Sequence, residues 1–289
     1  MNVSALGSRF DFDWLALRER ADDRARSRRL TRLAADWLSR SEAPLVLVDL
    51  GSGAGNNPRF LAPRLPGPQH WRLVDHDHDL LVQAAHRCRT LCDREGRAIS
   101  VETQAYDLAD LDASWWEGAY LVCASALFDL VSRDWTARFA AACVRRSIAV
   151  LLTLSVDGRW AFVDEQGSFF DDEEDAWVNA LFNSHQRRDK GLGAALGGTA
   201  PTVLCDVFVE HGYAVETASS PWQLPAGEPD TLALAGALVD GWFDAASEQA
   251  PAAHARLASW HARRRTALAR GELGVWVGHG DVFASPSNH

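Results

Sequence analysis

The stretch from residue 45 to residue 56, which reads LVLVDLGSGAGN, constrains the fold of this chain most. Its continuous apolar beginning is typical of a strand that is buried on both faces of a sheet. An acid, Asp49, stands at the end of the run, and a G-x-G-x-G turn follows. Such glycines tolerate positive φ angles and let a ligand approach the backbone closely. Because a helix is predicted to begin at about Phe60, the turn should direct free N–H groups at a ligand.

The spacing of these glycines argues against a dinucleotide site. A dinucleotide fingerprint requires G-x-G-x-x-G, and Asn56 occupies the position of the last glycine. Asp49 is also poorly suited to face a pyrophosphate, because both groups are negatively charged. An acid at this place suits a ligand that carries a cationic group.

Strands and helices alternate over the first half of the chain. Apolar runs predict strands at 45–50, 71–75, 99–105, 120–125 and 148–155, and helical patterns lie between them. Such alternation predicts a parallel sheet with right-handed crossovers. In the second half, strands are predicted at 214–218 and 274–284, and helices at 173–188, 201–211, 231–248 and 252–269.

The segment 13–38 precedes the first strand and reads as one or two amphipathic helices. Arg18, Asp22 and Arg26 recur at intervals of four residues, so they share one helix face. A solvated stripe of salt bridges explains this spacing as well as a functional face does.

Composition excludes several classes of function. The net charge of −10 disfavours a broad nucleic-acid footprint. The five cysteines show neither a C-x-x-C pair nor zinc-ligand spacing, so no metal site is predicted. The longest apolar stretch, 148–154, is too short to span a bilayer. These features predict a soluble, cytoplasmic protein without a membrane or nucleic-acid partner.

Four signals stand in the same order as in a known family: the turn at 49–55, Asp75, the pair Asp107-Leu108, and the strand end at Ser125. As an ordered set they resemble the class I S-adenosylmethionine (SAM) dependent methyltransferases. The resemblance covers roughly the first half of the chain. It implies an α/β fold, a Rossmann-like doubly wound seven-stranded sheet whose last strand is antiparallel, with helical insertions.

The predicted organisation has four parts. Residues 1–40 form an N-terminal helical cover, and 41–155 form the SAM-binding core. Residues 156–200 form a helical insertion or lid. Residues 201–289 complete the sheet and carry a second helical insertion at about 229–270.

The cofactor site follows from the resemblance and from the strand ends. Asp75 ends the second strand 20 residues after Gly55, where a carboxylate can accept hydrogen bonds from ribose hydroxyls. The family places an acid such as Asp107 on the adenine amino group. An arginine of the leading helix is in a position to reach the methionine carboxylate. The predicted cofactor residues are Arg18, Asp49, Gly51, Ser52, Gly53, Gly55, Asn56, Asp75, His76, Asp107, Leu108 and Ser125.

The chain also departs from the family in places. Many members begin the fourth strand with an acid, where this chain has Tyr120-Leu121. The Asn/Asp-Pro-Pro-aromatic motif of base methylation and the cysteine-nucleophile motif of cytosine methylation are both absent from the sequence. The stretch 124–131 looks like the small-molecule branch. The expected reaction is therefore in-line methyl transfer to a small metabolite, with room for an anionic one.

Candidate acceptor-site residues come from the loops that follow the later strands. Helix-dipole complementarity explains the arginines near residue 188. It does not explain a His, an Asp and a Lys that lead into a glycine-rich turn, which suits a mobile lid. Asp129 is equally well explained as a helix cap or a surface acid as by a functional role. For His279, a core or edge position explains the residue better than a catalytic role does. The predicted catalytic residues are His185, Asp129 and Asp189, and the predicted substrate-binding residues are Arg188, Lys190, Trp222 and His279.

Three alternatives stay open at this point. The first alternative is that the chain is an NAD-dependent oxidoreductase, although its glycine spacing argues against that. The second alternative is a module that binds SAM without transferring a methyl group, since the sequence identifies no certain catalytic base. A protein acceptor is the third alternative. The sequence identifies neither the acceptor atom nor the oligomeric state.

Overall fold

The structure is a computed structural model that describes residues 12–41, 44–109, 111, 114–189 and 191–287. Its strands are β1 (Leu45–Leu50), β2 (Gln69–Asp75), β3 (Ser100–Ala105), β4 (Ala119–Ser125), β5 (Ala149–Val163), β6 (Tyr213–Ser219), β7 (Trp222–Leu224) and β8 (Gly274–Pro286). Its α-helices are α1 (Phe12–Ala25), α2 (Arg28–Leu38), α3 (Asn56–Leu61), α4 (His78–Cys88), α5 (Arg133–Arg146), α6 (Glu173–Gln186), α7 (Ala200–Glu210), α8 (Pro229–Gln249) and α9 (His254–Ala269). In the described part of the chain, no helix combines the length and the apolar character needed to cross a bilayer.

All strands belong to one sheet with the order β3-β2-β1-β4-β5-β8-β6, and β7 pairs with β8. The five strands β1 to β5 are parallel, whereas β8 runs antiparallel to β5, β6 and β7. The predicted fold class is therefore confirmed: the chain has an α/β, doubly wound sheet with an antiparallel last strand. The described sheet has eight strands rather than seven, because the short strand β7, which no sequence pattern predicts, follows β6.

The fifth strand is longer than its apolar run predicts. It was expected to end at residue 155, but β5 continues to Val163. Leu154 adopts a positive φ of 58° at the place where the register with β8 shifts. Beyond this bulge, the strand pairs with the first half of β8. Such long-range pairing is a tertiary effect that a local pattern does not reveal.

Residues on both faces of the sheet and at its far end form three apolar clusters. One cluster lies under α5 and α7, and the second lies under α2, α3 and α4. A third surrounds Trp160 and Trp242, whose rings stack at 3.9 Å, and joins the ends of β5 and β8 to α6, α8 and α9. Apolar residues of α1 pack against this third cluster. Helices α8 and α9 fall within the predicted insertion at 229–270, while the domain boundaries themselves stay a prediction.

The first two helices are joined at Arg26-Ser27, and this junction is tied to the sheet. The Ser27 side chain caps α2 by accepting a hydrogen bond from the Leu30 N–H. The Ser27 N–H donates to the carboxylate of Asp281, at 2.8 Å. The same carboxylate accepts from the Leu154 N–H at the bulge of β5, at 2.8 Å, and from the Ser220 hydroxyl. Asp281 therefore fixes the end of α1 relative to the sheet.

Candidate functional site

A cavity of about 290 Å³ opens at the carboxyl ends of β1, β2 and β4. The strand order reverses between β1 and β4, because β2 and β3 lie on one side of β1 and β4 and β5 lie on the other. Doubly wound sheets bind their ligands at this switch point. Helix α1 forms the outer wall of the cavity with Leu15, Arg18 and Asp22.

The glycine turn forms the floor of the cavity, and its three glycines have positive φ angles of 61°, 50° and 80°. A Cβ atom at Gly53 would lie 3.1 Å from the Leu15 side chain, so α1 approaches the turn closely. A Cβ atom at Gly55 would instead lie 3.0 Å from the Cys88 sulfur. Gly55 was predicted to contact the cofactor, but it does not line the cavity. A glycine is needed there because the turn packs closely against α4.

Asp75 ends β2 and lines the cavity as predicted. Its carboxylate accepts hydrogen bonds from the Gly53 N–H at 2.8 Å and the Asp77 N–H at 3.0 Å, and it contacts His76 Nδ1 at 3.2 Å. Burial would raise the pKa of Asp75, but the hydrogen bonds from His76, Asp77 and Gly53 outweigh it and hold the pKa below its usual value. The same contact raises the pKa of His76. Asp75 is thus held ionised by three donors, and about one acceptor position of its carboxylate remains for a ligand.

Asp107 and Leu108 line the cavity next to Asp75, after the end of β3. Asp107 accepts a hydrogen bond from the Ala109 N–H at 2.9 Å, which orders the loop. The Leu108 carbonyl accepts from the indole of Trp135 at 2.7 Å. Both residues therefore have fixed positions at this end of the cavity.

Asp49 does not line the cavity, although it was predicted to face the ligand. It is buried below the turn, and one of its carboxylate oxygens accepts a hydrogen bond from the Asn57 amide. The other oxygen is buried without a hydrogen-bond partner among the described residues. Burial raises the pKa of Asp49 to about 7, against the opposing effects of Asn57 and of the nearby Arg26. Asn57 lines the cavity and connects Asp49 to it.

Arg26 lines the cavity from the end of α1, and it is only 3% exposed. Its guanidinium donates to the Asn57 side-chain oxygen at 2.6 Å, to the Thr153 hydroxyl at 2.9 Å and to the Ser125 hydroxyl at 3.0 Å. None of these partners is a carboxylate, and its Nε has no partner in the described part of the chain. A buried cation with neutral partners is costly unless an anion joins it.

Arg18, the arginine predicted to bind the cofactor, already has an anionic partner. It lines the cavity, but it donates to the Asp22 carboxylate through Nε at 3.0 Å and through Nη2 at 3.2 Å. The Trp222 indole donates to the same carboxylate at 3.1 Å. The stripe of Arg18, Asp22 and Arg26 is therefore a cavity wall, in which Arg26 rather than Arg18 lacks a carboxylate. The four-residue spacing in the sequence places both arginines on one helix face, but it does not show which of them is already paired with an acid.

Most of the predicted cofactor residues do meet at this cavity. The residues from that prediction that line it are Arg18, Gly51, Ser52, Gly53, Asn56, Asp75, His76, Asp107, Leu108 and Ser125. The prediction did not include Leu15, Asp22, Arg26, Ala54, Asn57, Leu80, Ala109, Ala126, Leu127, Leu130, Gly191 and Leu192, which also line it.

The loop after β4 contributes apolar atoms to the cavity. Ala126, Leu127 and Leu130 line it. Asp129 belongs to the short 3₁₀ helix between them, but it is not among the lining residues. The structure thus does not place the predicted catalytic Asp129 at the cavity.

The predicted acceptor segment after α6 turns away from the cavity. His185 Nε2 lies 2.9 Å from the carboxylate of Glu248 on α8, and Arg188 donates to Gln249 at 2.7 Å. Asp189 accepts from the N–H groups of Gly191 and Gly193 within its own turn. Only the next residues, Gly191 and Leu192, line the cavity, and Lys190 lies outside the described residues. These contacts correct the predicted roles of His185, Arg188 and Asp189.

Trp222 and His279 lie behind the cavity wall and not in the cavity. Their rings are 4.8 Å apart, and Trp222 contacts two residues of the cavity wall: it donates a hydrogen bond to Asp22, and the Arg18 guanidinium lies 5.1 Å from the centroid of its ring. Burial, together with the nearby Arg18 guanidinium, lowers the pKa of His279 to about 4. His279 is therefore a neutral core histidine at physiological pH. In the described part of the chain, no group of three or more His, Cys, Asp or Glu side chains is arranged to hold a metal ion.

Comparison with known proteins found distant structural likeness only. No family model matches the chain, and no curated protein does. A cyclopropane synthase from Mycobacterium tuberculosis shares 11% identity over 88% of this chain and 82% of its own, with a TM-score of 0.46. A geranyl diphosphate C-methyltransferase from Streptomyces coelicolor A3(2), solved with S-adenosylhomocysteine, shares 10% identity over 89% of this chain and 78% of its own, with a TM-score of 0.42. At TM-scores below 0.5 these likenesses carry no argument about function.

The strand order and the cavity of this chain carry the assignment of its fold by themselves. The parallel strands, the antiparallel last strand, the glycine turn after β1 and the acid at the end of β2 occur together as the resemblance implies. The described chain thus has the doubly wound sheet with an antiparallel last strand that its resemblance to the class I SAM-dependent methyltransferases implies.

Proposed function

We propose that the chain binds SAM in the cavity at the switch point and transfers its methyl group to a small molecule. The observation that carries the proposal is the pairing, in one cavity, of an ionised strand-end carboxylate with a buried guanidinium whose hydrogen-bond partners among the described residues are all neutral. Asp75 and Arg26 are these two groups. A ligand with a ribose diol at one end and a carboxylate at the other would complement both.

The end of the cavity near β2 and β3 suits a nucleoside. The Gly53 N–H, the Asp77 N–H and His76 occupy three of the about four acceptor positions of the Asp75 carboxylate, so one position is available to a ribose hydroxyl group. Leu80 and Leu108 offer apolar surface for a base, and Asp107 offers a carboxylate for an exocyclic amino group. These features fit adenosine.

The end of the cavity near β4 and α1 suits an amino acid. A carboxylate beside Arg26 would complete the hydrogen bonding of a guanidinium that is fixed by Asn57, Thr153 and Ser125. Asp49 lies behind Asn57, and a cationic group bound in front of Asn57 would favour the ionised form of this carboxyl over its protonated form. An α-amino group beside a carboxylate matches this arrangement of opposite charges.

When bound, SAM would supply a methyl group on a sulfonium leaving group. The side chains of the cavity would orient the reactants and exclude water. Leu127, Leu130 and Leu192 provide the apolar surface toward the acceptor side. The Asp22 carboxylate also faces the cavity, but Arg18 and Trp222 engage both of its oxygens. Asp22 is therefore poorly placed to take a proton, and we propose an acceptor whose nucleophile needs no carboxylate base.

The size and cover of the cavity favour a small acceptor over a protein. Helix α1 closes the outer side of the cavity. The hypothesis of an anionic acceptor loses its main support, because the Arg188 guanidinium donates to Gln249 on α8. Oxidoreduction with NAD is disfavoured as well, because Asn56 stands where a dinucleotide-binding turn has its last glycine.

Titration calorimetry with S-adenosylhomocysteine and, separately, with NADH tests the cofactor. The proposal expects binding of the first ligand and no saturable binding of the second; the reverse result refutes it. Incubation with methyl-labelled SAM and a library of small metabolites then tests transfer, with label in a metabolite as the expected result. Cofactor binding without labelling of any metabolite would favour a SAM-binding module without catalysis.

A further inference from the structure

Helix α1 lies between two cavities. On its inner side is the cavity described above, which Leu15, Arg18 and Asp22 line. On its outer side is a cleft of about 270 Å³ between α1, β7 and α8, lined by Leu17 and Ala21 of the helix. The apolar residues of α1 pack against the third cluster, but cavities on both sides leave the helix with fewer packing contacts than a helix in a continuous core has.

The two ends of α1 are held in different ways. Its last turn is anchored through the buried Arg26 and through the Ser27 N–H, which donates to Asp281. Its first half is held to the glycine turn mainly by polar contacts. The Asn56 side chain donates to the Leu15 carbonyl at 2.9 Å.

Glu19, in the middle of α1, makes a further polar contact. One of its carboxylate oxygens accepts from Arg59 of α3, and the other accepts from Arg87 of α4 at 2.7 Å. Arg87 also donates to the Ala54 carbonyl at 2.9 Å and to the Asn56 side chain at 2.7 Å. One carboxylate thus joins α1 to both helices that begin at the ligand-binding loops.

We propose that Glu19 is a positioning residue that latches α1 over the bound cofactor and sets the rate at which the cofactor leaves. The inference rests on the proposed function, since it assumes that the inner cavity holds SAM. With the latch open, the first half of α1 swings about Arg26-Ser27 into the outer cleft and uncovers the glycine turn. With the latch closed, Leu15 lies against Gly53 and retains the ligand.

Glu19→Gln tests the latch, because it removes the charge and keeps the size of the side chain. The Glu19 side chain is 21% exposed, so the contact lies between an exposed ion pair and a buried charged hydrogen bond in strength. We expect S-adenosylhomocysteine to dissociate roughly three- to tenfold faster, measured by surface plasmon resonance, with little change in the association rate.

Arg20→Gln is the matched control. Arg20 is the next residue of the same helix, and its partner is Asp230 on α8 in an exposed pair. The control should change the dissociation rate by less than about twofold, since exposed pairs contribute little. In a double-mutant cycle, Arg59→Gln should add almost nothing to the Glu19→Gln variant, because Arg59 acts through the same carboxylate.

Hydrogen exchange of the free protein separates this proposal from the proposed function. In Glu19→Gln the amides of residues 15–22 should exchange faster, while those of α2 should not change. Equal dissociation and exchange rates in the variant and the wild type overturn the latch, and so does faster exchange throughout the fold, which indicates a merely structural role. If the wild type does not bind S-adenosylhomocysteine, the proposed function fails, and the exchange rates alone decide whether Glu19 holds α1.

Discussion

Replacing Arg26 by glutamine is the change that tests the proposed cofactor site most directly. The guanidinium is buried, it is held by three neutral acceptors, and its Nε is unused among the described residues. A carboxylate that joins it would form hydrogen bonds between charged groups, each worth about 1.5–3 kcal/mol. Losing one such bond should weaken S-adenosylhomocysteine binding roughly ten- to a hundredfold, at about 1.4 kcal/mol per tenfold.

The choice of ligand makes this prediction specific. Methylthioadenosine has the nucleoside and the sulfur, but it has no amino-acid carboxylate. Titration calorimetry should therefore show that Arg26→Gln weakens S-adenosylhomocysteine and leaves methylthioadenosine nearly unchanged. Asp75→Asn should weaken both ligands, because it acts on the ribose that they share.

Stability must be measured beside affinity, because Arg26 also holds the cavity wall. Its removal leaves Asn57 without a donor, while the Ser125 and Thr153 hydroxyls can rotate toward other partners. Urea denaturation separates this effect from binding. Arg29→Gln is the control, since Arg29 forms an exposed pair with Glu216 and should leave both affinities unchanged. An equal loss of affinity for both ligands in a folded Arg26→Gln protein would refute the assignment of Arg26 to the carboxylate.

Three further predictions concern stability. Asp281→Asn should lower the free energy of unfolding in urea by about 1–3 kcal/mol, because three donors meet this buried carboxylate; a change below 0.5 kcal/mol, roughly a surface effect, would contradict its anchoring role. His185→Ala should lower that free energy by less than about 1 kcal/mol and leave S-adenosylhomocysteine affinity intact, since its partner Glu248 is exposed. His76 has a raised pKa, so its charged form stabilises the fold below its usual pKa of 6.5, and this contribution is lost as the pH rises through the raised pKa. The stability difference between wild type and His76→Gln should therefore shrink as the pH rises, and a pH-independent difference would show that the ion pair with Asp75 does not matter.

Local patterns sufficed for the parallel half of the fold. The predicted strands 71–75 and 120–125 correspond closely to β2 and β4, because strands that are buried on both faces have continuous apolar runs with punctuation at their ends. The acid that ends β2 was likewise predictable as a cavity residue. Doubly wound sheets bind ligands at the carboxyl ends of the strands near the switch point, so a residue that ends such a strand is expected to lie in the site.

The antiparallel half was less predictable. The extension of β5 to Val163 and the short β7 depend on pairing with β8, which lies more than a hundred residues from the start of β5 in the chain. A pairing between distant segments leaves no signature in the local sequence. The bulge at Leu154 also interrupts the alternation of side chains along β5, so the strand does not read as one continuous run.

The sequence by itself determined the class of fold, the positions of the first five strands along the chain and the residues of the glycine turn, because hydrophobic periodicity and backbone freedom are local properties. Only the tertiary structure decided which charged side chains meet. Arg18 and Arg26 are equivalent in a helical pattern, yet one meets Asp22 and the other meets only neutral partners. His185 and Arg188 looked available in the sequence, yet α8 supplies their partners from about sixty residues away. Charge pairing depends on distances in space, and those distances are fixed by packing between elements that the local sequence does not describe.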